Sequence, residues 1–209
     1  MRLAIWLLFF PGVIHAADPA VVAPKAPSRA ETYLMLPEPR VMGLSISKAF
    51  AGAQHTVFTP ARQSTDGKLH VFTREEFAKL GLSWESFLER AQTAADRRLA
   101  DLQPELKKDG SGRVLYAVYR SEEPTIACLL IAPALSAIFK NIFGEEVWLV
   151  APDRNSLFVF PARKGAVEEF ADDLQERFEE NPFAVSDEIF VVKQGAAPRV
   201  LGSFSGARR

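Results

Sequence analysis

Along this chain, runs that are apolar at nearly every position take turns with segments whose apolar residues return every three or four places. The densest pair of runs is VWLVAPDRNSLFVF, Val147 to Phe160, where two β-prone stretches enclose Pro152-Asp153-Arg154-Asn155. The pattern predicts two strands joined by a hairpin turn. RVLYAVYR (113–120) and TIACLLIA (125–132) also read as strands, separated by Ser121-Glu122-Glu123-Pro124. The second is continuously apolar, which suits a strand covered on both faces. HTVFTPA (55–61) and KLHVF (68–72) read as short strands around an Asp66-Gly67 turn, although Pro60 weakens the first. KKDGSG (107–112) reads as a polar turn and EIFVVK (188–193) as a last strand.

The helical signals differ in period. Thr73-Arg74-Glu75-Glu76 is a capping box that opens a short helix ended by Gly81. Ser83 caps the next one, along which Trp84, Phe87, Leu88, Ala91, Ala95, Leu99 and Leu102 form an apolar stripe before Pro104. LSAIFKNIFG (135–144) predicts a short helix closed by Gly144. AVEEFADDLQERFEE (166–180) predicts another, with Val167, Phe170, Ala171, Leu174 and Phe178 on one face and acids opposite. Paired strands with short turns imply antiparallel hairpins. The architecture expected is therefore α+β, a mostly antiparallel sheet of paired strands covered by two or three amphipathic helices.

The ends change the picture. Residues 1–16, MRLAIWLLFFPGVIHA, carry one basic residue, Arg2, then an apolar run and small residues at the end. That is the pattern of a secretory signal peptide, cut near Ala16-Ala17, and it predicts a periplasmic or secreted bacterial protein. Residues 17–40 hold Pro19, Pro24, Pro27, Pro37 and Pro39 among many alanines and read as a linker, in which TYLML (32–36) could dock as an edge strand. A single domain is expected over 41–209, ending in a basic tail, SGARR. No stretch after the signal is long enough to span a bilayer.

The formal charge is -1, and no basic stripe interleaves with aromatics, so composition argues against a nucleic-acid partner. Cys128 is the sole cysteine and cannot form an intramolecular disulfide; in its apolar run it reads as a small buried hydrophobe. After the signal, the histidines are His55 and His70, with no HExxH and no CxxC, so no metal or other cofactor is expected. There is no G-x-S-x-G elbow, and DGSGR is too short to cradle a phosphate.

Asp153-Arg154-Asn155 remains as the candidate ligand-binding set. Read structurally, it is a solvated hairpin tip. Read functionally, Arg154 is a cationic fork held by Asp153 and offered to a carboxylate or phosphate.

LGLSWESFLERAQTAADRRL, ACLLIAPAL, VAPDRNSLFVFP and the later helix and strand also resemble the YtpQ-like family of uncharacterised bacterial proteins, over about Gly67 to Val192. Arg98-Leu99 stands where that family has an Asn-Leu-like pair, and Asp153-Arg154-Asn155 where it has Arg-Asp. The resemblance implies an α+β fold and makes the hairpin a family feature; it implies no activity, substrate or cofactor. Its members are mostly cytoplasmic, so the signal peptide marks an exported relative.

Three functions are compatible with these residues. The first is a non-catalytic binding or interaction domain, whose partner is another envelope protein or a small anionic ligand. The second is a hydrolase-like enzyme whose site is assembled in space from Asp153, Arg154, His55 or His70. The third is a structural component of an envelope complex, which requires an exposed apolar patch.

Overall fold

The computed structural model describes residues 32–40 and 46–205 of the 209. The signal-peptide reading, most of the linker and the end of the basic tail lie outside those residues.

Two antiparallel sheets build the α+β fold. The smaller has three strands in the order β1-β2-β3: β1 (Thr32–Pro39), β2 (Thr56–Gln63) and β3 (Leu69–Val71). So TYLML does form an edge strand. It extends to Pro39 and buries Leu34, Met35 and Leu36, which makes the last part of the proline-rich stretch structural. Pro60 is accommodated inside β2, where its carbonyl accepts a hydrogen bond from the Phe72 amide. The capping box forms as read: Thr73 accepts from the Glu76 amide and Glu76 accepts from the Thr73 amide, opening α1 (Arg74–Lys79). Ser83 caps α2 (Trp84–Ala100), whose buried stripe is Phe87, Ala91, Ala95 and Leu99.

The larger sheet has six strands: β4 (Glu105–Lys108), β5 (Val114–Arg120), β6 (Glu146–Val150), β7 (Ser156–Pro161), β8 (Glu188–Lys193) and β9 (Arg199–Ser203). Their order is β4-β5-β7-β6-β8-β9, antiparallel throughout. Strand period 2 divides its residues between two faces. Ala117, Tyr119, Val147, Leu149, Leu157, Val159, Phe190 and Val192 enter the main core, together with α2, the small sheet and α3 (Leu135–Phe143). Tyr116, Val118, Trp148, Val150, Phe158, Phe160 and Ile189 form a second cluster with α4 (Ala171–Glu180) and the short 3-10 turn Glu168–Phe170 before it. Burying a large apolar side chain contributes about 1.5–3 kcal/mol. Both faces of β6 and β7 do so, which is why their sequence is apolar without alternation.

Two sequence expectations change. Residues Ile126–Ile131 are a 3-10 helix, not a strand. All six are buried, and the segment packs between β1, α2 and β7. A continuous apolar run signals cover on every side and does not by itself distinguish strand from helix. The helix expected over 166–180 is regular only from Ala171, and its buried residue is Leu174, with Phe170 and Phe178 half-buried. The long helix α2 covers β1 and the 3-10 helix; the inner face of the large sheet is covered by the 3-10 helix and α3. No helix among the described residues is long and apolar enough to cross a membrane.

Candidate functional site

The expected wet hairpin tip is the most altered part of the picture. Pro152, Asp153 and Ser156 are buried, and Arg154 and Asn155 are partly so. Neighbouring segments take up the turn's backbone groups. Val185 donates to the Pro152 carbonyl, the Arg154 amide donates to the Phe183 carbonyl, Ala127 donates to the Arg154 carbonyl and Ser121 to that of Asn155. The turn is thereby joined to the 3-10 helix, to the loop after β5 and to the loop before β8. Enclosed backbone polar groups need such partners, and here they have them.

The three side chains point to different tasks. Asp153 accepts from the Asn155 amide at 2.8 Å and from Ser156 Oγ at 2.8 Å, with Arg177 Nη1 of α4 at 3.5 Å. Asn155 donates through Nδ2 to the carbonyls of Ser121 (2.9 Å) and Glu122 (3.0 Å). Arg154 is not held by Asp153. Its guanidinium donates to Glu38 of β1, a carboxylate whose side chain is only 3% exposed. Burial holds the Glu38 carboxyl above its ordinary range, and Arg154 offsets only part of that rise. The Arg154 fork is thus spent inside the fold, tying the small sheet to the large one, and is not offered to a ligand.

The histidines have other partners. His55 Nδ1 lies 2.9 Å from Asp187 Oδ1, and Ser203 Oγ donates to Asp187 Oδ2 at 2.7 Å. The hydrogen bond to Asp187, then its charge, raise the His55 pKa. Beside them the buried Glu188 accepts from the amides of Gln54, His55 and Thr56, so this polar seam also joins the two sheets. His70 Nε2 lies 3.1 Å from Glu76, at the capping box. No hydrogen bond joins either histidine to Asp153 or Arg154, and neither histidine lines the hollows described next. Cys128 is fully enclosed and burial pushes its thiol up to about 12, which removes it as a nucleophile. Among the described residues, no cluster of three or more His, Cys, Asp or Glu is placed to hold a metal ion.

What the structure adds is a cleft of about 510 Å³ between α4 and the outer face of β5 and β7. Phe158 and Phe160 form its floor, Tyr116 and Phe170 its walls, and Leu174 packs from the helix. The rings support one another: Tyr116 lies 4.9 Å from Phe170 and 5.3 Å from Phe160, centroid to centroid. Arg120, at the end of β5, and Arg177, on α4, both sit over the Phe158 ring, at 5.9 and 5.8 Å. A second hollow of about 390 Å³ shares Arg120, Arg177 and Asn181 with the first. It is also lined by Ser121, Glu122, Asp153, Asn155 and Ser156. Two of the three sequence candidates, Asp153 and Asn155, therefore line the second hollow, beside the cleft.

The aromatic floor was missed in the sequence, though it left a trace. Phe158 and Phe160 are two apart on one strand and so share a face. Their meeting with Tyr116 follows from the β5–β7 register, which pairs Val118 with Phe158, and a single sequence does not print that register.

No family model matches this chain, no curated protein matches it significantly, and neither does any solved structure.

Proposed function

We propose that this chain is an exported, non-catalytic binding domain of the YtpQ-like kind, and that it takes a small ligand in the cleft between α4 and β5–β7. The carrying observation is the aromatic-lined cleft itself. Its volume falls among those of small-molecule sites, roughly 300–1,000 Å³, and like them it combines apolar rings with a few convergent polar groups. The non-catalytic reading is supported by the separation of the titratable groups. The His55–Asp187 and His70–Glu76 pairs are both engaged elsewhere. Export is supported by the apolar run and small residues of positions 1–17.

Amide NMR of the purified protein with bicyclic aromatic fragments tests the site. Shifts should concentrate at Tyr116, Phe158, Phe170 and Leu174, and Phe170→Asp should remove them. The same preparation, recovered from the periplasmic fraction, should begin near Ala16-Ala17. Shifts gathered instead around the exposed Ile138 and Ile142 of α3 would move the binding surface there, and no shifts at all would end the small-ligand reading.

A further inference from the structure

Arg120 and Arg177 are the cations of the cleft, and each is held only by a long ion pair. Each guanidinium carries five N–H donors, yet among the described residues neither donates a hydrogen bond. Their nearest carboxylates stand off at 3.8 Å (Glu105) and 3.5 Å (Asp153). Glu105 is 71% exposed, so its pairing with Arg120 is solvent-screened and weak. Asp153 already accepts from Asn155 and Ser156. Both arginines are nevertheless positioned, because each packs over the same Phe158 ring. Two like charges on one ring, each with N–H groups to spare beyond its long ion pair and with 44% and 40% of the side chain exposed, are built to share an anion. A guanidinium fork matches a planar carboxylate with two parallel hydrogen bonds.

The other charges in the cleft narrow the class. Asp173, Glu176 and Glu180 of α4 line it as well. They repel a dianion more than a monoanion, so a singly charged headgroup fits better than a phosphate monoester. The aromatic walls take a flat apolar body.

Resting on the cleft reading above, we propose that the ligand class is a small planar aromatic monocarboxylate. Its carboxylate bridges Arg120 and Arg177, and its ring lies against Tyr116, Phe158 and Phe170.

Titration of the purified protein with three size-matched probes, 2-naphthoate, 2-naphthalenemethanol and 2-naphthyl phosphate, tests this. Naphthoate should bind at least about tenfold more tightly than the alcohol, since charge-assisted pairs are the stronger hydrogen bonds. Arg120→Gln and Arg177→Gln should each erase most of that difference, weakening naphthoate far more than the alcohol. If Arg177→Gln fails to fold because Asp153 loses its cation, Arg120→Gln and Arg177→Lys carry the test, and the lysine should restore only part of the preference. An alcohol that binds as well as naphthoate overturns the anion assignment and leaves the cleft standing. A phosphate that binds more tightly overturns the monocarboxylate. If no probe shifts the Tyr116 and Phe170 resonances, the cleft reading falls with it.

Discussion

Two turns in this protein use the same chemistry in opposite surroundings. At Asp109–Gly112, between β4 and β5, Asp109 accepts from the Ser111 amide (2.9 Å), Ser111 Oγ (2.6 Å), the Arg113 amide (3.1 Å) and Arg113 Nε (3.0 Å). At Pro152–Asn155, between β6 and β7, Asp153 accepts from the Asn155 amide and Ser156 Oγ and faces Arg177. Both are aspartate-led turns whose side chain organises the following backbone. The first stands in water. The second is overlaid by β1, the 3-10 helix and the loop before β8. What separates them is not composition but what the rest of the chain brings over them. In the first turn water shares the charges with their partners; in the second the buried carboxylates of Asp153 and Glu38 depend on protein donors and cations.

The sharpest way to break the comparison is to remove the buried cation. Arg154→Ala strands Glu38 among apolar neighbours without a counter-charge. It should cost about 3–5 kcal/mol, the range for one partner lost from a buried pair, read from denaturant unfolding at pH 7. The pH dependence has a definite sign. Glu38 then has a folded pKa raised further above its ordinary 4.5, so the folded form holds the extra proton and the penalty grows as pH rises through that value. The variant should therefore be closest to the parent near pH 4. Replacing both residues, with Glu38→Leu added, should recover part of the loss. A pH-independent loss under about 1 kcal/mol would mean that the turn is solvated after all.

Asp153→Asn sharpens the contrast by keeping shape and removing charge. The amide oxygen still accepts from the Asn155 amide, while the new NH2 group meets Ser156 Oγ, which can accept from it. Arg177 loses its counter-ion. A loss of about 1–3 kcal/mol is expected, with an accompanying change in naphthoate affinity, because Arg177 is one wall of the cleft. A stability change without any effect on binding would separate the turn from the site.

The contrast also marks how far the sequence could be read. Strands β5, β6, β7 and β8 carry Val, Phe, Trp and Tyr in density and announce themselves. Helices α1 and α2 are written in Thr73, Ser83 and the stripe through Phe87 and Leu99. Two strands are silent for a physical reason. β4 is Glu105–Lys108, exposed at every position, and has no apolar face to display. β9 is an edge strand whose Leu201 is 48% exposed, held by pairing to β8 and by a hydrogen bond from Val200 to the Ala51 carbonyl. Gly52 is required there: it has φ +83°, and a Cβ would lie 2.8 Å from the Val200 carbonyl oxygen. Local pattern tells how greasy a segment's surroundings are, not which segments supply them. That limit turned Ile126–Ile131 into an expected strand and Pro152–Asn155 into an expected wet corner. It also hid the cleft, whose parts come from β5, β7 and α4. A lone acid among the apolar residues of β1, Glu38, was the one local sign that some distant cation had to reach it.

The same substitution in the open turn gives the smallest effect and the cleanest control. Asp109→Asn keeps an acceptor for the Ser111 and Arg113 amides and loses the charge facing Arg113. Asp109 is held down to about 2, first by the Ser111 hydroxyl and then by the amides and Arg113. A carboxylate depressed in the folded state contributes stability above its unfolded value, about 3.8, and loses it as pH falls toward 2. The parent should therefore be slightly more stable than Asp109→Asn at pH 6, and the two should converge near pH 2. At pH 6 the deficit should stay well below that of Asp153→Asn, because water takes over whatever the carboxylate releases. Equal losses at the two turns would mean that enclosure adds nothing to what the aspartate does locally, and that Asp153 works as a turn residue alone.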